Sequence, residues 1–230
     1  MYSSLLTFAQ NSAMLATKVL AAGITHLTDA RYFAAWEVDF LAFPIGDGAG
    51  ENITWTYLNA MREWVEGPAI VAELGSIADG AAWAAQLTEN RVTFALLDHS
   101  APASAQNDLR TAGIELIAHV KVEGYQDTET IKEAMEEVPD AKWVVLDFTH
   151  GGIAWDDLEE GKPISLQELE DLSQGRQVLV QIDLGDRDPK AVNAAYSIAG
   201  FAVRGSSEEK VGYKSFDDLD GLFEGLEVFD

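Results

Sequence analysis

Short β-branched or aliphatic runs alternate along the chain with longer segments of amphipathic spacing. The apolar runs fall at 18–22, 39–43, 69–74, 92–97, 115–122, 142–147, 177–182 and 201–204. Most are continuous rather than strictly alternating, as expected of strands covered on both faces. The intervening segments, 28–37, 54–66, 77–87, 103–112, 127–137, 165–172, 189–198 and 215–226, read as helices. Thr28-Asp29 is a candidate cap for the first helix, Ser165 with Glu168 forms a capping-box pattern, and Asp188-Pro189 puts proline in a first helical turn. Strict strand–helix alternation demands a parallel sheet with right-handed crossovers. Eight such units predict an α/β protein, a single (β/α)8 TIM barrel over 18–230 with a short N-terminal extension, 1–17. An open doubly wound sheet is the other arrangement this alternation allows. The longest predicted loop, 148–163, follows the sixth strand.

Composition narrows the class. The chain has 230 residues, 47% of them apolar, enough for one large core and close to the roughly 250 residues of a typical eightfold barrel. The net charge of −24 repels phosphates, so nucleic acid and anionic membranes are not expected partners. The acidic residues are spread along the chain as a shell, which serves solubility or fits a salt-rich cytoplasm. No run of 18 apolar residues suggests a membrane span, and residues 1–16 lack the basic start of a signal peptide. The chain has no cysteine, which excludes disulfides, thiolate metal sites and cysteine nucleophiles. A cytoplasmic protein, monomer or homodimer, is the expectation.

On a barrel, chemistry belongs at the carboxyl ends of the strands. Those positions carry Ala22-Gly23, Pro44-Ile45-Gly46, Glu73, Asp98-His99, Lys121, Asp147, Asp183 and Arg204-Gly205-Ser206-Ser207. Asp147 ends an apolar run, where burial can raise a carboxyl's pKa and suit it to general acid catalysis; a helix cap or loop ion pair is the plainer role. Gly151-Gly152 and Gly205-Ser206-Ser207 are candidate anion-binding turns, the latter after strand eight, where barrels hold phosphate. His26, His99, His119 and His150 show no metal-ligand spacing, and each reads more readily as structural or solvated, with His99 and His150 the better placed. Glu73, Asp98, Asp147 and Asp183 would suit Mg²⁺ or Mn²⁺, although 39 acidic residues put several at strand ends by chance.

Three stretches resemble the phosphoribosylanthranilate isomerases of tryptophan biosynthesis. Gly23-Ile24-Thr25-His26-Leu27-Thr28-Asp29-Ala30, then Trp36 to Phe43, is similar to that family's first strand, helix and second strand. Leu146-Asp147, Gly151-Gly152 and Trp155 resemble its sixth strand and glycine loop. Phe201 to Lys214 and Phe216-Asp217-Asp218-Leu219 resemble its last strand, phosphate loop and terminal helix. The resemblance implies an eightfold barrel, a small phosphorylated substrate, and an Amadori rearrangement that needs neither metal nor organic cofactor. A general acid protonates the ribose ring oxygen and a base takes the C2′ proton; Asp147 matches the acid. Gly151, Gly152, Arg204, Gly205, Ser206 and Ser207 match the substrate- and phosphate-binding loops.

Three family elements are altered. The family's base is a cysteine at the position of Ala22, which accepts no proton. The loop Pro44-Ile45-Gly46-Asp47-Gly48-Ala49-Gly50-Glu51 lacks the family's arginine for the anthranilate carboxylate. The paired glycines at the end of strand seven align with Ile182 and Asp183. A carboxylate about 4 Å from a phosphate costs on the order of 4 kcal/mol at an effective dielectric of about 20. The expectation is an isomerase-like barrel whose standard activity is lost or replaced. The alternatives are an active isomerase with a substitute base, His26 being the candidate, and a non-enzymatic binding or assembly protein.

Overall fold

The computed structural model describes residues 14–45, 52–205, 208–210, 213–214 and 216–228. Eight parallel strands close into a barrel: β1 (Lys18–Ala22), β2 (Phe40–Pro44), β3 (Ala69–Gly75), β4 (Phe94–Asp98), β5 (Glu115–Lys121), β6 (Trp143–Asp147), β7 (Gln177–Gln181) and β8 (Gly200–Arg204). Strand β8 pairs with β1 in register from Lys18↔Gly200 to Ala22↔Arg204. Closure rules out the open sheet. It also depends on Gly200, because a Cβ there would meet the Lys18 carbonyl oxygen at 1.9 Å.

The helices are α1 (Leu27–Ala35), α2 (Trp55–Arg62), α3 (Gly80–Glu89), α4 (Ala103–Thr111), α5 (Thr128–Glu136), α6 (Leu166–Ser173), α7 (Pro189–Ala195) and α8 (Asp217–Leu226). Thr54, Asp79 and Asp127 cap α2, α3 and α5, each accepting from a backbone N–H of the first turn. Ser165 and Glu168 form the expected capping box on α6, and Pro189 opens α7. The expected cap on α1 is different. The helix starts one residue earlier, at Leu27, with His26 at the N-cap and no side-chain cap bond. Asp29 turns inward instead and is fully buried. Segment 148–163 is not a bare loop either: a 3-10 turn (Thr149–Gly151) and a one-turn helix (Trp155–Glu159) fill it, anchored by buried Trp155.

Two apolar layers hold the barrel. One lies between strands and helices. The other fills the interior with Leu20, Phe40, Val71, Leu96, Ile117, Trp143, Val145, Leu179 and Ala202. Phe40 stands edge-on to Phe94 and Trp143, with ring centroids 5.5 and 5.4 Å apart. Of the extension, Met14–Leu15 pairs antiparallel with Glu227–Val228. Thr17 donates to the Ala199 carbonyl just before β8, so this segment lies at the amino ends of the strands, away from the expected site.

Candidate active site at the barrel mouth

Side chains alternate along a strand, so the packed interior determines what reaches the mouth. Two residues beyond Leu20, Ala42, Val71, Leu96, Val145, Leu179 and Ala202 stand Ala22, Pro44, Glu73, Asp98, Asp147, Gln181 and Arg204. From Ile117, β5 contributes His119 and then Lys121. A cavity of about 330 Å³ opens here, lined by these side chains except Ala22, with Thr149 and His150 beside them. A larger one of about 850 Å³ adjoins it past the ends of β7 and β8, and Thr149, Gln181 and Arg204 line both.

Asp147 is 4% exposed and saturated with donors. Its Oδ1 accepts from Thr149 Oγ1 at 2.6 Å, Gln181 Nε2 at 2.9 Å and the His150 N–H at 3.1 Å. Its Oδ2 lies 3.1 Å from His119 Nε2. Burial alone pushes the carboxyl up. The bonds from His119, Thr149 and the His150 N–H, with the charge of His119, outweigh it and hold Asp147 below the ordinary carboxylate value. This reverses the direction expected from its apolar strand: Asp147 is an anion that fixes His119.

Two ion pairs frame this network. Arg204 Nη2 on β8 lies 3.1 Å from Glu73 Oε1 on β3, and Glu73 Oε2 accepts from the Gly23 N–H at 2.9 Å. The pair therefore runs over the end of β1, beside Ala22, which is 2% exposed. The guanidinium lies against Gly23, where a Cβ would come within 3.0 Å of Arg204 Nη2. On the other side, Asp98 accepts from Lys121 Nζ at 3.2 Å and from the N–H and hydroxyl of Ser100. Burial raises its carboxyl, but these bonds and the lysine charge hold it down at about 2.

The residues expected to bind an anion are largely engaged already. The Gly152 N–H donates to the Thr149 carbonyl, and the Gly205 N–H to the Ala22 carbonyl. Gly151 is a packing position, because a Cβ there would meet the Val122 carbonyl oxygen at 2.4 Å. Ser206 and Ser207 lie outside the described residues. Ile182 and Asp183 line the larger cavity, and Asp183 Oδ1 accepts the Gly185 N–H. Its one guanidinium besides Arg204 belongs to Arg187, which is tied to Asp156 and Glu159. His26 lines neither cavity. Among the described residues, no three His, Asp or Glu side chains are grouped to hold a metal ion, and no helix is long and apolar enough to cross a membrane. The sequence reading missed Gln181 and treated His119 as structural. Their signal was parity with Leu179 and Ile117.

No family model and no curated protein matches the chain. Solved structures do. Phosphoribosyl anthranilate isomerase from Thermus thermophilus is similar at 21% identity and a TM-score of 0.67, over 91% of this chain and 98% of that one. The enzyme from Thermotoga maritima is similar at 15% identity and a TM-score of 0.68, with the same coverage. A 3-hexulose-6-phosphate synthase is also similar, at 13% identity and a TM-score of 0.58, over 91% and 99%. At these identities the likeness is one of fold: the chain is a (β/α)8 barrel similar in structure to the phosphoribosylanthranilate isomerases.

Proposed function

We propose that this protein is an isomerase-type barrel in which the family's Amadori rearrangement has been lost or replaced, and with it a role in tryptophan biosynthesis. The observation that carries this reading is Ala22. It is 2% exposed at the end of β1, where the resemblance puts the base, and its methyl group accepts no proton. The Glu73–Arg204 pair runs beside it. Asp147, the residue matching the general acid, is held ionised by its partners, and an acid must carry its proton at the working pH to deliver it. A cytoplasmic monomer or homodimer fits the cysteine-free, acidic chain.

The test is a direct assay of the purified chain on phosphoribosylanthranilate, with no turnover above the uncatalysed background expected. Turnover at ordinary enzyme rates, about 1–10³ s⁻¹, abolished by Asp147→Asn, would overturn the proposal. One observation favours the rival reading of a substitute base. His119 is oriented by Asp147 through Nε2, lines the mouth, and has no hydrogen-bond partner for Nδ1 among the described residues. His119→Asn would then abolish any turnover, whereas His26→Asn would not.

A further inference from the structure

We propose that a second copy of this chain docks on the outer face of α1 and α2, giving a weak twofold dimer that salt strengthens. This face is on the flank of the barrel, apart from the mouth and whatever chemistry it carries.

Four large hydrophobic side chains are exposed among the described residues, and two of them belong to α2 and the turn that ends it. Trp64 is 70% exposed and Tyr57 41%. Seven residues make nearly two helical turns, so both stand on one face, with exposed Ala60 between them. Trp64 lies just past the end of α2, but its N–H donates to the Met61 carbonyl at 3.0 Å and carries the turn on. Buried Leu58, Met61 and Val65 repeat the same spacing one residue later. Helix α2 therefore bears two apolar stripes, of which the core covers one. The other two exposed side chains, Met14 and Tyr125, stand singly at opposite ends of the barrel.

The uncovered stripe adjoins α1. Strands β1 and β2 pair, which sets α1 beside α2. Helix α2 meets α3 through Trp55, Asn59 and Arg62, which bond Gln86 and Asn90. Helix α1 meets α8 through Tyr32, bonded to Asp220, and Trp36, stacked on Phe223. The flanks left over face each other: exposed Arg31 and Ala35 on α1, Tyr57 and Trp64 on α2. Arg31 borders the stripe on one side and exposed Glu63 on the other, and neither forms an ion pair among the described residues. A face with an apolar middle and opposite charges on its two sides is complementary to itself. A uniformly acidic or basic partner would satisfy one charge and oppose the other. With two α2 helices antiparallel, Tyr57 meets the partner's Trp64, and Ala60 lets the helices approach at the centre. Two aromatic side chains bury roughly 150–250 Å² each, short of the roughly 800 Å² per partner of a standard interface. The net charge of −24 on each copy also opposes association. The contact is therefore weak at low salt and tightens as salt screens the repulsion.

Sedimentation equilibrium of the full-length chain tests this. It should give a monomer–dimer equilibrium with a dissociation constant of about 10–100 μM in about 0.1 M sodium chloride, tightening about tenfold at about 1 M. Trp64→Ser and Tyr57→Ser should each weaken the dimer at least about tenfold with the melting temperature nearly unchanged, whereas Tyr125→Ser should leave the dimer as it is. Glu63→Arg lowers the net charge, so general repulsion alone would strengthen the dimer; loss of the pairing with Arg31 should weaken it instead, and adding Arg31→Glu should restore it. A chain that stays monomeric up to about 1 mM in both salts, as when the stripe serves a different protein, would overturn the proposal. So would a dimer that Trp64→Ser and Tyr57→Ser leave intact, or one that Glu63→Arg strengthens.

Discussion

Asp147 receives four hydrogen bonds, from His119, Thr149, Gln181 and the His150 N–H. Removing its carboxylate leaves buried donors without acceptors, at about 1–3 kcal/mol for each group left unsatisfied. Asp147→Ala should therefore lower unfolding free energy by about 3 kcal/mol, read from urea denaturation; a change within error would mean the network is rebuilt by water. Asp98 gives a pH-dependent prediction. Its folded-state pKa, about 2, lies below the ordinary 3.8. Its ionised form stabilises the fold fully above 3.8, and the contribution is lost as pH falls toward 2. The native protein should thus exceed Asp98→Asn in stability near neutral pH, with the gap closing across that window. A gap independent of pH would assign the effect to packing.

Among the elements, closure at the β8–β1 seam places Gly200 against the Lys18 carbonyl, where a Cβ would sit at 1.9 Å. Gly200→Ala must push the two backbones apart, with a loss of at least roughly 1–3 kcal/mol, the usual range for overpacking. Amide exchange should then accelerate first in β1 and β8. The capping box on α6 ties the Ser165 N–H and hydroxyl to Glu168, while the Ser165 oxygen accepts the Glu168 N–H. Ser165→Ala should cost about 1 kcal/mol. Glu168 also accepts from Thr128 of the neighbouring α5, so Glu168→Ala should cost more than Ser165→Ala. Equal costs would leave the contact between helices without effect.

At the scale of the whole molecule, a net charge of −24 over 230 residues makes the compact state repel itself. Screening shortens that repulsion to about 10 Å at 0.1 M salt and about 3 Å at 1 M. The melting temperature should rise by several degrees between low salt and molar sodium chloride. A melting temperature that is flat or falling would mean that local pairs such as Arg187 with Asp156 and Glu159 outweigh the shell.

The eight strand–helix units were legible in the sequence because their signals are local: apolar runs, the capping box at Ser165 and Glu168, and proline at 189. The likeness of the stretches from Gly23, around Asp147 and from Phe201 to one enzyme family was legible for the same reason. Which side of each strand faces inward was not. In β5 and β7 the polar residues Glu115, His119, Lys121, Gln177 and Gln181 share one parity with Ile117 and Leu179, but in strands covered on both faces that parity does not say which face is the inner one. Closure of the barrel made that choice, placing Ile117 and Leu179 in the interior and, by the period of two, His119 and Gln181 at the mouth. The pairing of charges was likewise beyond the sequence. Glu73 and Arg204 are 131 residues apart and meet only because the barrel brings β3 and β8 to either side of the end of β1. Asp147 is ionised for the same kind of reason: its donors come from β5, β7 and the turn after β6, and only the closed barrel assembles them around one carboxylate.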